Sequence, residues 1–229
     1  MEYLQNGFIL ELSPGACPLS TDSIALGSFV KLPKNAQVVD LGAGCGTLGL
    51  MLCARDSSCC VTGIELDETA HRMALQNAQT NGICHRLKSI CADLTDRACL
   101  PPAGSADCVV SNPPYFSGGF VSKATPLARS QQACPLEAVF GAAAHCLRFG
   151  GELFMVHKPE QLGQLCALGI ARRLEPKELL MLHHKEDGPC SLVLLRFRKG
   201  AKPGLTISQQ TLFDRQGQTT AYYKDIYHL

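Results

Sequence analysis

The sequence predicts an α/β fold: a mostly parallel sheet with helices on both faces and an antiparallel strand near the C-terminus. Three observations lead there. Short apolar runs alternate with helical stretches along most of the chain, an order that builds parallel sheets through crossover helices. Four successive apolar runs end at or just before a polar side chain, Asp40, Glu65, Asp93 and Asn112. Ligands of such sheets bind beyond the carboxyl ends of the strands, so all four residues fall on one functional edge. Two further apolar runs follow, separated only by Lys185-Glu186-Asp187-Gly188-Pro189, which is turn chemistry and implies antiparallel pairing.

Taken in order, strands are expected at residues 37–40, 60–65, 87–91, 108–111 and 153–157. Helices are expected at 47–55, at 68–80 with Asn81-Gly82 as the stop, at 136–148 with Phe149-Gly150-Gly151 as the stop, and at 160–172. The last two strands are placed at 178–183 and 191–198. The 229 residues, 46% of them hydrophobic, suffice for a sizeable core and fit a single domain. Its parts are a leading segment over 1–35, a core over 36–200 and a C-terminal extension over 201–229.

Composition narrows the function. No apolar run approaches a membrane span, and Met1-Glu2-Tyr3-Leu4-Gln5-Asn6 lacks the basic and apolar regions of an export signal. The 13 cysteines are scattered, odd in number and never spaced C-x-x-C. They read as reduced, mostly core thiols of a cytoplasmic protein. No Cys or His cluster has metal-ligand spacing, so no metal is expected. A net charge of +1 excludes a diffuse positive field, so any nucleic acid must be held by a local patch.

Gln37-Val38-Val39-Asp40-Leu41-Gly42-Ala43-Gly44-Cys45-Gly46 is a strand running into a glycine turn, with a helix after it. Such turns bring a ligand close to backbone and to free N–H groups. A phosphate-binding P-loop is excluded, because no Gly-Lys-Ser/Thr follows. Gly44-Cys45-Gly46-Thr47-Leu48-Gly49 does satisfy the dinucleotide pattern G-x-G-x-x-G. Asp40 argues against that reading: a carboxylate there repels a pyrophosphate and suits a cation. S-adenosylmethionine has a sulfonium, an α-ammonium and no phosphate. Its ribose needs an acidic partner, and Glu65 ends the next strand about 25 residues on. Asp93 is a candidate for the adenine amino group, with an ordinary turn cap as the alternative.

Ser111-Asn112-Pro113-Pro114-Tyr115 is the most specific stretch. Two prolines fix an extended exit from the strand. The Asn112 side chain and the Pro113 carbonyl then offer two acceptors for the N–H bonds of a planar amino group, and Tyr115 offers a ring to cover its π-face. The alternative is a rigid turn with Tyr115 as packing.

Asp40-x-Gly42-x-Gly44-x-Gly46, Glu65, Asp93 and Asn112-Pro113-Pro114-Tyr115 occur in the order seen in class I S-adenosylmethionine-dependent methyltransferases that act on amino nitrogens. Over nearly its whole length the chain resembles the bacterial tRNA(Val) adenine-N6-methyltransferase family. The segment from Leu19 to Val30, Phe116, Ala128-Arg129 and the tail Tyr222-Tyr223-Lys224-Asp225-Ile226-Tyr227 add to the likeness. The resemblance implies a Rossmann-like class I methyltransferase fold with S-adenosyl-L-methionine as cofactor. It implies Asn112, Pro113, Pro114 and Tyr115 as catalytic residues and Asp40, Gly42, Gly44, Gly46, Glu65 and Asp93 as cofactor contacts. The implied partner is RNA, a tRNA, methylated on an adenine near the anticodon.

For RNA docking the sequence offers Arg172-Arg173 with Lys177, His183-His184-Lys185, and Lys123, Arg129, Arg196, Arg198, Lys199 and Lys202, each also readable as solvated surface charge. His71, His85, His145 and His157 read as packing residues, and Tyr222, Tyr223 and Tyr227 as a docked tail. Protein glutamine N5-methylation and ribosomal guanine-N2 methylation remain alternatives, as does a nucleotide-binding regulator in which Asn112 is turned away from the pocket.

Overall fold

A computed structural model of the chain describes residues 1–12, 19–115 and 136–228. Pro14-Gly15-Ala16-Cys17-Pro18, Phe116, Lys123, Ala128 and Arg129 lie outside the described residues. The chain opens with a small antiparallel ribbon, β1 (Glu2–Tyr3) and β2 (Ile9–Leu10), followed by α1 (Thr21–Phe29). Then come β3 (Gln37–Leu41), α2 (Thr47–Arg55), β4 (Cys60–Glu65), α3 (Glu68–Thr80), β5 (Leu87–Cys91) and β6 (Ala106–Ser111). After these stand α4 (Leu136–Cys146), β7 (Leu147–His157), α5 (Leu162–Ala171), β8 (Leu174–Lys185), β9 (Cys190–Lys199), β10 (Thr206–Phe213) and α6 (Ala221–Tyr227).

Eight strands form one sheet in the order β10-β8-β9-β7-β6-β3-β4-β5. β3 pairs in parallel with β4 on one side and β6 on the other. The strand order reverses between β3 and β6, and such a switch point opens a crevice for ligands. α1, α2, α3 and α6 cover one face around Leu26, Leu50, Phe154 and Leu194. α4 and α5 cover the other around Val109, Phe140, Leu153 and Phe197.

Local chemistry sets most boundaries. Ser20, Asp67 and Thr220 cap α1, α3 and α6 by accepting the N–H of Ser23, Ala70 and Tyr223. Gly46, at φ +81, turns the chain into α2, where a Cβ would press on Ala74. Two helices differ from expectation at their ends: α5 spans Leu162–Ala171 rather than 160–172, and α4 is also shorter. α4 stops at Cys146 rather than at residue 148, because Leu147 already pairs with Ala106 and Arg148 ties to Asp107 at 2.6 Å. β9 is antiparallel to both β7 and β8, as the turn-rich hairpin implied. The C-terminal extension adds a strand that the sequence did not announce: β10 lies parallel to β8 at the sheet edge.

Three cations are consumed as helix ends. The Arg55 guanidinium donates to the carbonyls of Gly27 and Val30 at the end of α1. Arg86 donates to Cys53 and Asp56 after α2, and Lys199 to Ala144 and Leu147 after α4 at 2.6 and 2.7 Å. Each satisfies carbonyls that the helix itself leaves without partners. Lys199→Met should therefore lower the unfolding free energy by about 1.5–3 kcal/mol, the scale of charge-assisted hydrogen bonds. The exposed Lys202→Met should stay within about 0.5 kcal/mol. Urea unfolding of both variants checks this, and equal midpoints would remove Lys199 as a cap.

Candidate active site

The site assembles where β3, β4, β5 and β6 end together. Asp40 on β3 pairs in register with Gly63 on β4 and Val110 on β6. Glu65 and Asn112 lie two residues beyond those partners and so flank β3 on either side. Two strand spacings put them about 10 Å apart across the sheet. Asp93 follows β5, where the Ala92 N–H still bonds the Glu65 carbonyl at 2.9 Å.

Asp40 is 1% exposed, and among the described residues neither carboxylate oxygen has a hydrogen-bond partner of proper geometry. Burial, and then the neighbouring Glu65 carboxylate, raise its pKa to about 7, while the Gly49 amide in the first turn of α2 pulls it partly back. A buried carboxylate without donors is costly unless a proton or a cationic partner relieves it. The glycine loop beside it is shaped by backbone that only glycine adopts readily: Gly42, Gly44 and Gly46 all have positive φ. Gly42 and Ala43 donate to the Ile64 carbonyl at 2.9 and 3.1 Å, which locks the loop onto the end of β4. Glu65 closes it: Oε2 accepts from Gly44 N–H and Oε1 from Asp67 N–H, each at 2.8 Å. Each carboxylate oxygen has further lone pairs for outside donors.

Asp93 is exposed, and its Oδ1 accepts both the N–H and the hydroxyl of Thr95 at 2.7 Å. Those bonds hold its pKa below the usual carboxylate range. They are the bonds of a local turn cap.

On the other side of the switch point, Ser111 anchors β6 to β3 through Oγ donating to the Leu41 carbonyl at 2.8 Å. Asn112 is half-buried. Its Nδ2 donates to Ser23 Oγ at 3.1 Å, and its Oδ1 accepts the Tyr115 hydroxyl at 3.3 Å. Pro113 is buried and Pro114 exposed. The Tyr115 phenol is pushed well above its ordinary pKa by burial and then by the nearby Asp22 carboxylate. His157 meets the Tyr115 ring edge-on at 5.0 Å between centroids, and Lys158 Nζ stands 5.2 Å from its centre. His157 does pack, as its apolar strand implied. Its Nδ1 accepts the Lys158 N–H at 2.8 Å and burial lowers its pKa, so it is neutral.

Sequence reasoning missed Ser23, which belongs to the leading segment but holds Asn112. The capping pattern Ser20-Thr21-Asp22-Ser23 was the available signal. The RNA-docking candidates do not gather in one place. β8 runs from Leu174 to Lys185, about 36 Å of strand, so Arg172-Arg173 and Lys185 stand at opposite edges of the sheet. Lys158 follows β7 beside the site, and Lys185 ends β8, two strands further along the same edge of the sheet. Arg196 is bound to Glu152 and Glu178 at 2.6 and 3.1 Å. Tyr227 bonds Thr21 of α1 at 2.9 Å and stacks on Tyr223, so the C-terminal tail is docked. Among the described residues no group of His, Cys, Asp and Glu is placed to hold a metal ion, and no helix is long and apolar enough to cross a membrane. A groove of about 600 Å³ between α3 and β5, lined by Leu75, Leu87 and Ser89, includes none of the site residues.

Asp40 makes a pH prediction. The folded carboxyl keeps its proton up to about 7, whereas the unfolded one loses it near 3.8. The folded state therefore binds more protons between those values. Its stability from this group is complete below pH 3.8 and declines as pH rises towards 7. Urea unfolding at about pH 4 and about pH 8 should show that decline, and Asp40→Asn should flatten it. Parallel profiles for the two proteins would assign the decline elsewhere.

Comparison with known proteins agrees with this architecture. The model of the methyltransferase small domain family matches residues 21–168. A protein of Actinobacillus succinogenes named tRNA1(Val) (adenine(37)-N6)-methyltransferase is 31% identical over 90% of this chain and 86% of its own. One of the same name from Flavobacterium johnsoniae is 27% identical over 94% and 93%. Among solved structures, one described as a predicted O-methyltransferase from Agrobacterium tumefaciens superposes with a TM-score of 0.76 at 21% identity, covering 91% of this chain and 96% of its own. The chain thus belongs to the methyltransferase small domain family and, within it, to the family of the tRNA1(Val) (adenine(37)-N6)-methyltransferases.

Proposed function

We propose that this protein is a cytoplasmic S-adenosylmethionine-dependent methyltransferase that acts on N6 of an adenine next to the anticodon of a valine tRNA. The observation that carries the chemistry is the pairing of two unlike groups across the switch point. A buried carboxylate with no hydrogen bond of proper geometry, Asp40, stands on β3, and the amide of Asn112 stands just past β6, two residues beyond Val110, the partner of Asp40. Together with the names of the relatives, this favours transfer to an amino nitrogen of tRNA.

The residues present fit the cofactor. The unpartnered Asp40 carboxylate suits a cation, Glu65 has lone pairs for ribose hydroxyls, and the loop of Gly42, Gly44 and Gly46 lets a ligand approach the backbone. Asp93 is the candidate for the adenine amino group of the cofactor, through acceptor capacity beyond its turn cap. When bound, S-adenosylmethionine supplies an electrophilic methyl group on sulfur.

The protein's own part is to hold the nucleophile. An exocyclic amino nitrogen of adenine is weak because its lone pair is delocalised into the ring. Asn112 Oδ1 and the Pro113 carbonyl accept its two N–H bonds. These bonds strengthen as positive charge grows on nitrogen, so they favour the transition state over the ground state. An amide oxygen has two lone pairs, so Oδ1 can keep the Tyr115 hydroxyl while taking the base. Ser23 holds the other end of the Asn112 amide, which fixes its direction before substrate arrives. The base leaves its stack to reach the site, and Tyr115, with His157 against its edge, offers a new one.

The decisive experiment is methylation of a panel of unmodified tRNAs and a release factor with labelled cofactor, followed by mapping of the product. Label on a release-factor glutamine and on no tRNA would sink the RNA reading. Asn112→Ala should cut turnover by roughly 10²–10³-fold, the scale for losing a group aimed at developing charge, with binding of S-adenosylhomocysteine unchanged. Normal turnover in the folded variant would remove Asn112 from the mechanism. Topology adds a second expectation. If Lys158 and Lys185 each contact a phosphate, replacing either by Ala should reduce the slope of log K against log [salt] by about 0.7–0.9. Arg172→Ala, at the far edge, should leave the slope unchanged. The reverse pattern in a filter-binding titration would move the RNA to the opposite edge.

A further inference from the structure

Asn77 is 0% exposed, lies outside the residues assigned above, and uses its whole amide on backbone. Its Oδ1 accepts the Glu11 N–H at 2.8 Å. Its Nδ2 donates to the Glu11 carbonyl and to the Cys45 carbonyl, both at 2.9 Å. At the C-terminal end of the same helix, Asn81 treats Ile9 in the same way, with bonds of 2.8 and 2.7 Å. The spacing explains the fit. Four helical residues advance about 6 Å, and two strand residues about 6.6 Å. Two asparagines a turn apart therefore serve alternate residues of an extended segment, as a neighbouring strand would. Leu10, between them, is fully buried.

The two asparagines differ in one respect. Asn81 holds the N-terminal segment and its own helix; Asn77 also holds the glycine loop. The Cys45 carbonyl lies between Gly44 and Gly46, both at positive φ, where the backbone has wide freedom and an outside anchor decides which way a peptide faces. If the segment 9–11 leaves, Asn77 loses partners for a buried donor and acceptor, and such groups are costly to leave unmade. Its side chain must then move or admit water, and the Cys45 carbonyl loses the bond that Asn77 gives it. Ser23, on α1, bonds Asn112 in the other half of the site.

We propose that Asn77 is a positioning residue for the cofactor loop, and that the segment Ile9 to Glu11 is the strap through which it acts. Cofactor binding and strap docking are then linked, each favouring the other by the same factor. This rests on the cofactor reading given above. Neither Ile9 nor Glu11 is assigned a cofactor contact, so their response reports the linkage alone.

Amide hydrogen exchange of the wild-type protein, with and without S-adenosylhomocysteine, tests it. The Ile9 and Glu11 amides should exchange at least several-fold more slowly with the ligand. Asn77→Ala should weaken S-adenosylhomocysteine binding about tenfold and raise KM for S-adenosylmethionine, with KM for tRNA unchanged. Asn81→Ala should lower thermal stability to a similar degree but weaken ligand binding less than Asn77→Ala. Ligand binding by the wild type with unchanged exchange at residues 9–11 would overturn the linkage and leave the cofactor reading standing. Wild-type affinity in folded Asn77→Ala would do the same. No ligand binding by the wild type would overturn both.

Discussion

β3 is hydrogen-bonded on both sides, and the rest of the site depends on that constraint. A strand paired to both neighbours can send its side chains only towards the helices on the two faces. Asp40 is the last residue but one of β3, and its carboxylate enters the protein beside the first turn of α2. Water does not reach it there. The Gly49 amide compensates it in part, and a proton, or a donor or cation arriving beyond the strand end, can do the rest. Parallel pairing does the remaining placement. Because β4 and β6 run alongside β3 in the same direction, residues just past their pairing partners emerge on the same edge. Glu65 and Asn112 are the residues that emerge.

Chemical identity divides the edge into two halves. The β4 side is acidic and glycine-lined, with Glu65 closed onto the loop by Gly44 N–H. The β6 side is a fixed amide with a half-buried phenol beside it. One half suits a ligand with positive charge and hydroxyls; the other suits a planar amino group. Two parts of the leading segment touch the two halves: Glu11 bonds Asn77, which holds the loop, and Ser23 bonds the Asn112 amide.

Charge tells a complementary story. The chain is nearly neutral, and several of its cations are spent inside the fold. Arg55, Arg86 and Lys199 close helix ends, and Arg196 sits between Glu152 and Glu178. These residues cannot also form a broad basic surface. At the rim of the site Lys158 stands over Tyr115.

The sequence by itself determined the fold class, the extents of β4, β5, α2 and α3, and the edge on which Asp40, Glu65, Asp93 and Asn112 gather. Those features rest on local terms: β-branched runs, capping side chains, glycines at positive φ, and the rule that parallel strands end together. Only the tertiary structure decided the rest. Ser23 meets Asn112 across 89 positions, and Asn77 meets Glu11 across 66; nothing local in either neighbourhood specifies its partner. Arg172 and Lys185 are near in sequence, yet an extended strand carries them to opposite edges. β10 has mostly exposed residues, so no burial pattern marks it, and it forms because the edge of β8 offers backbone partners. A side chain's type is written in the chain, but which buried donor finds which acceptor is settled by packing. That choice follows from the high cost of leaving either one unpaired.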